Sequence, residues 1–202
     1  MNERLSTQKR LILETALKLM FEGSYEDASI DSVSQCAGFD SYKIRQHYAT
    51  DEKLRMSAMR YAAIIWVNQV KADLERQETK KDKLYALIRH YIAGSASHPQ
   101  SLSLYVDIWK KLRDLEQESR QLLSDELLEI YCYYVSFFQE IIKDIFKNDC
   151  GYDIEQLAWI MVVISDGFHV QSLVQSQRLD FDRIACTFYK MLNHEAPIGG
   201  CI

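Results

Sequence analysis

Six polar side chains, Ser41, Tyr42, Lys43, Arg45, Gln46 and His47, crowd into the stretch SIDSVSQCAGFDSYKIRQHYATDEK that runs from Ser29 to Lys53. Arginine and lysine donate to guanine, glutamine pairs with adenine, and tyrosine meets a phosphate or a thymine methyl. The set suits the groove of a duplex if a short, rigidly held helix presents it. Lys43 and Arg45 are the strongest donors, and Ser29 at the head of the stretch completes the expected contacts.

The flanking residues dictate such a helix. Ser29 is a good N-cap, because its hydroxyl can take a free backbone N–H. Ile30, Val33 and Ala37 then recur at i, i+3 and i+7, which makes one buried stripe. Gly38 stands where the chain must reverse, a position that favours glycine. Phe39 is apolar and is expected to plug the turn. Asp40 can cap a second helix whose Ile44 and Tyr48, four apart, face inward. Thr50 can cap a further helix, with Asp51 and Glu52 at its positive end. Helix, glycine turn and short helix make a helix-turn-helix.

Composition sets the wider frame. The chain has 202 residues, 48% of them hydrophobic, with two prolines and seven glycines. That favours an all-α fold with one small helical domain and a larger one, about nine helices in all. The domains expected are residues 1–50, a three-helix DNA-binding domain, and residues 51–202, a ligand-binding and dimerisation domain. The net charge is −5, but it is unevenly spread. Residues 1–60 carry nine basic and nine acidic residues, and residues 61–202 carry 15 and 20. The acidic part can stay away from a polyanion while Arg4, Lys9, Arg10, Lys43 and Arg45 meet it.

Helical periodicity predicts helices over Thr7–Glu22, from Asp51 through Val70, and over Lys83–Ala96, Ser101–Arg113, Glu116–Lys147, Ile154–Gln175 and Asp180–His194. Gly151 should end the longest of these, the charged run KADLERQETKKDK reads as a hinge between domains, and the tail from Pro197 should fray. Eight consecutive apolar residues, Leu157 to Ile164, cannot all face one core. Their outer side needs a partner. With Phe181, Ile184 and Phe188 of the last helix, Leu157, Ile160, Met161, Ile164 and Phe168 are the expected interface of a homodimer. Trp66, Tyr105, Trp109 and Tyr134 bring polar handles to apolar walls and, with Phe138, are the expected lining of a small-molecule site, for a cationic or a flat apolar ligand. No run is long enough to span a membrane, and no apolar signal segment opens the chain. Cys36, Cys132, Cys150, Cys186 and Cys201 are scattered without a C-x-x-C pair, which fits a reducing cytoplasm. Cys36 is expected to be a small buried hydrophobe rather than a redox sensor.

Residues 12–54 resemble the N-terminal domain of TetR-family transcriptional regulators. The matching positions include Ile12, Ala16, Leu17, Leu19, Tyr25, Ile30, Ala37, Gly38, His47, Tyr48, Glu52 and Leu54, without a gap. Trp109–Asp114 and Asp166-Gly167-Phe168 fit looser patterns of the family's second domain. The resemblance implies a dimeric repressor that binds a palindromic operator in double-stranded DNA and answers to a small-molecule effector, with His47 as a phosphate contact. The chain departs from the pattern at Tyr42, where a small residue is usual, at Arg45, often tyrosine, and at Asp51, often lysine. Asp51 would repel a phosphate.

No phosphate loop, nucleophile elbow or metal-ligand spacing appears, so no catalytic residue, metal or cofactor is expected. The five histidines are dispersed. Two other classes fit the same residues: a helical adaptor dimer that keeps the helix-turn-helix as scaffold, and a helical small-molecule-binding or catalytic protein.

Overall fold

A computed structural model describes residues 6–93, 99–146, 153–175 and 180–192. Among them the chain is all-α. Its helices are α1 (Thr7–Glu22), α2 (Ile30–Ala37), α3 (Ser41–Arg45), α4 (Asp51–Glu75), α5 (Lys80–Ala93), α6 (Pro99–Asp114), α7 (Gln117–Phe146), α8 (Ile154–Gln175) and α9 (Phe181–Leu192), with one 3-10 turn at Tyr25–Asp27. They form two compact units. The first holds the described residues up to Trp66 together with Ser103–Ile130; the second holds Val67–Leu102 and the described residues from Tyr131 onward.

The first unit is built on α1. Ile12, Leu13, Ala16, Leu17 and Met20 are buried along one face, at helical spacing. Ser6 caps the helix by accepting from the Lys9 N–H at 3.3 Å. The chain then turns at Gly23, where an added Cβ would collide with the Asp27 carboxylate. That carboxylate accepts from the Ser24 N–H at 2.6 Å and the Ser24 hydroxyl at 2.9 Å, which closes the 3-10 turn. Ile30, Val33 and Ile44 of α2 and α3 join Leu54, Met56 and Ala58 of α4 and Leu104, Ile108, Leu123 and Leu127 of α6 and α7 among the buried residues of this unit. A fully buried side chain of this size contributes about 1.5–3 kcal/mol.

In the second unit, α5 packs against α9 and α8. Leu84, Leu87, Ile88 and Ile92 of α5 are buried, as are Phe137, Phe138 and Ile142 of α7 and Ala158, Met161 and Val162 of α8. Tyr85 and Tyr189 meet edge to face at 5.7 Å between α5 and α9. Thr79 begins α5 by accepting from the Asp82 N–H at 3.0 Å and donating to the Asp82 carboxylate at 2.6 Å. This cap starts the helix three residues before Lys83, where periodicity had placed its start. Proline is well suited to a first helical position, and α6 begins at Pro99 rather than at Ser101. The charged run from Lys71 to Lys83 lies inside the second unit, so it does not divide the two units. Gly151, the tail from Pro197, Arg4, Cys150 and Cys201 lie outside the described residues. No described helix is long and apolar enough to cross a membrane.

Candidate nucleic-acid interface

The helix-turn-helix is fixed by local bonds. Ser29 accepts from the Ser32 N–H at 3.0 Å, and the Asp51 carboxylate accepts from the Ile30 N–H at 2.9 Å, so α2 has two caps. Gly38 takes φ 71°, a left-handed conformation that costs glycine nothing, and its N–H bonds the Ser34 carbonyl. The Ser34 hydroxyl donates to the Phe39 carbonyl at 2.6 Å across the turn. Phe39 itself is half-buried. Asp40 then caps α3 by accepting from the Tyr42 N–H at 2.8 Å.

Tyr42 is 68% exposed, and Lys43, Arg45, Gln46 and His47 are also exposed, while Ile44 and Tyr48 point into the core. Ser41 and Ser29 are half-buried, and the Ser29 hydroxyl is engaged in capping α2. Helix α3 is a single turn and a half, shorter than its polar run. Gln46 keeps helical dihedrals as its C-cap, and His47 follows in a turn, its N–H bonded to Ile44. Asp51 does not stand free before a phosphate, because its carboxylate is bonded to α2. Arg45 reaches the Asp31 carboxylate of α2 at 3.3 Å. On α1, Lys9 is half-buried and Arg10 pairs with Glu14 at 3.7 Å.

Behind the helix-turn-helix, the first unit holds an ion network that spacing alone did not indicate. Tyr25 is buried and donates to Glu52. Arg55 and Lys111 lie over the Tyr25 ring at 5.5 and 5.4 Å. Lys111, from α6, reaches Glu26 and Glu52 at 2.6 Å each. Arg55 is 7% exposed, bonds Glu26 at 2.6 Å and Glu52 at 3.6 Å, and also donates to the carbonyls of Glu26 and Ala28. Burial first, then the charge of Glu52, holds the Tyr25 hydroxyl far above its ordinary range. Burial opposes the charge on Lys111, but its bonds to the two carboxylates outweigh this and raise its pKa. Nearby, Glu126 of α7 binds both Lys53 and Arg60 of α4.

The residues expected to line a ligand site divide between the units. Trp66, Tyr105 and Trp109 belong to the first, where Tyr105 and Trp109 stand 6.4 Å apart. Tyr134 and Phe138 belong to the second, where Phe138 is fully buried against Tyr91, with ring centroids 4.1 Å apart. The second unit also holds Asp166, whose carboxyl is pushed up to about 6 by burial despite a hydrogen bond from Tyr131. Of the expected dimer residues, Leu157 and Met161 are buried within the chain, Ile164, Phe168, Phe181, Ile184 and Phe188 are half-buried, and Ile160 is exposed. Val163, at 66% exposed, and Val170 are further exposed apolar residues of α8, and Met191 is one of α9. Among the described residues the thiols of Cys36, Cys132 and Cys186 are free, and Cys36 is exposed rather than buried. No described group of residues could hold a metal ion.

No protein-family model and no curated protein matches the sequence. Solved structures do match the fold. A TetR transcription regulator from Haloarcula marismortui superimposes with a TM-score of 0.70 at 14% identity, over 93% of this chain and 97% of that one. FadR from Bacillus subtilis in complex with stearoyl-CoA gives 0.66 at 17%, over 93% and 98%. A regulator from Saccharomonospora viridis in complex with choline gives 0.66 at 18%, over 94% and 97%. The fold of this chain is that of TetR-family transcriptional regulators.

Proposed function

We propose that this chain is a ligand-responsive, DNA-binding transcriptional regulator, a repressor that binds a palindromic operator as a homodimer and leaves it when a small molecule binds. The observation that carries this reading is the exposed set Tyr42, Lys43, Arg45, Gln46 and His47 on a short helix locked to α2 by caps and a left-handed glycine. Residues 1–50 read DNA in this proposal, and residues 51–202 bind the effector and the second copy. The outward apolar residues Ile160, Val163, Val170 and Met191 are the surface that the second copy covers. Two recognition helices about 34–36 Å apart then meet successive major grooves on one face of the duplex. The effector acts through its differential affinity for two domain poses, only one of which fits the operator. The bound molecules of the structural neighbours, stearoyl-CoA and choline, are chemically unlike each other, so neither is assigned to this chain. The protein works in the cytoplasm and does not catalyse a reaction.

The test is selection of bound sequences from a random duplex pool at moderate salt, with the double variant Lys43→Ala/Arg45→Ala as control. A palindromic motif that disappears in the control is the expected result. No enrichment, even at low salt, overturns the reading and favours the adaptor dimer.

A further inference from the structure

Lys43 and Arg45 lie two residues apart in α3, yet they are held differently. Among the described residues the Lys43 side chain has no hydrogen-bond or ion-pair partner, and its backbone N–H is bonded to the Asp40 carbonyl. Arg45 donates from Nη2 to the Asp31 carboxylate of α2 at 3.3 Å, with the two side chains 49% and 68% exposed. Asp31 sits in the first turn of α2, where a carboxylate often serves as a cap, but Ser29 and Asp51 already cap that helix. Among the described residues Arg45 is the hydrogen-bond partner of Asp31. Only one of the five donors of the guanidinium is engaged, and because Nη2 carries two hydrogens and belongs to both two-donor edges, Nε/Nη2 and Nη1/Nη2, one complete edge stays unbonded.

We propose that Asp31 is a specificity-determining positioning residue. It orients Arg45 to read a guanine in each half-site, while Lys43 contributes affinity through phosphate. The inference rests on the DNA-binding reading above. A free arginine samples many rotamers and meets phosphate or base with little preference, whereas a guanidinium pinned at one edge presents the other as a fixed fork to O6 and N7 of guanine. Asp31 contacts no base in this arrangement and repels the phosphate backbone. Its removal therefore has two effects of opposite sign: less discrimination and tighter non-specific binding. A role confined to holding the fold would weaken both.

The experiment compares wild type, Asp31→Asn, Lys43→Ala, Arg45→Ala and Asp31→Asn/Arg45→Ala in duplex selection, followed by binding to the selected site and to single-base variants across a salt series. Asp31→Asn is expected to lower discrimination at one base pair per half-site by about 5- to 30-fold, and to raise affinity for random duplex. Lys43→Ala is expected to weaken all sequences alike and to reduce the log–log salt slope by about 1 per half-site. On the Arg45→Ala background, Asp31→Asn should change discrimination no further. Thermal unfolding of each variant establishes that it is folded. A motif and single-base profile for Asp31→Asn identical to wild type overturns the inference and reduces the pair to an exposed ion pair of little consequence. Absence of any motif for the wild type overturns instead the DNA-binding reading on which it rests.

Discussion

Asp51 is an acidic side chain next to the helix expected to face a polyanion, and the structure turns it inward to bond the Ile30 N–H. Replacing it by alanine removes one of two caps on α2. Asp51→Ala is expected to cost about 1 kcal/mol, read as a lowered urea midpoint with an unchanged slope. The caps made by Ser29 and Asp40 were legible in the sequence because each acts within three residues of itself. The Asp51 cap was not, because it joins positions 21 residues apart. Asp166 carries a different consequence. Its carboxyl is raised from 3.8 to about 6, so the native protein binds more protons than the unfolded chain between those values. The stability that this group contributes is full below about pH 4 and is lost as pH rises through about 6. Asp166→Asn keeps an acceptor for Tyr131 and removes that dependence. Relative to wild type it should gain about 1–3 kcal/mol between about pH 4.5 and about pH 7.5, measured by urea unfolding of both proteins at each pH.

At the scale of elements, the turn between α2 and α3 depends on Gly38. At φ 71° a Cβ is strained even though nothing crowds it, so Gly38→Ala is expected to destabilise by about 1–2 kcal/mol. The same change should weaken DNA binding, because α3 is re-aimed, and parallel thermal melts and binding isotherms check both. The glycine and its role were readable from sequence, since a left-handed residue after a short amphipathic run has few other solutions. The length of α3 was not, because its polar run continues past the residues whose backbone stays helical. The network around Tyr25 also escaped sequence reading. Its members come from the 3-10 turn, α4 and α6, and helical spacing links only Glu52 and Arg55, three apart on α4, not these to Glu26 or Lys111. Lys111→Met leaves the carboxylates of Glu26 and Glu52 with Arg55 as their remaining cationic partner among the described residues. An expected loss of about 1–2 kcal/mol, discounted for partial exposure, should shrink in the double variant Lys111→Met/Glu52→Gln, as a double-mutant cycle in urea measures.

For the whole molecule, the all-α class was legible from composition and helical period, and the identity of the outward apolar face was legible only in part. Leu157 and Met161 share the continuous apolar run with Ile160 and Val163, and a run without polar punctuation does not say which members turn inward. Charging the outward members tests the dimer. Ile160→Asp/Val163→Asp is expected to sediment as a monomer and to bind a half-site without cooperativity, while its helical content stays that of wild type.

The same distinction between segment and unit reaches beyond any single contact. The compact unit that carries the helix-turn-helix is completed by Ser103–Ile130, which supply Lys111 to Glu26 and Glu52, Glu126 to Lys53 and Arg60, and the buried Leu104, Ile108, Leu123 and Leu127. A fragment ending at Trp66 lacks all of these. The helix-turn-helix segment is therefore not a self-contained cassette. Grafted onto another helical body, the segment up to Trp66 would meet a stranger's α6 and α7 in place of these contacts.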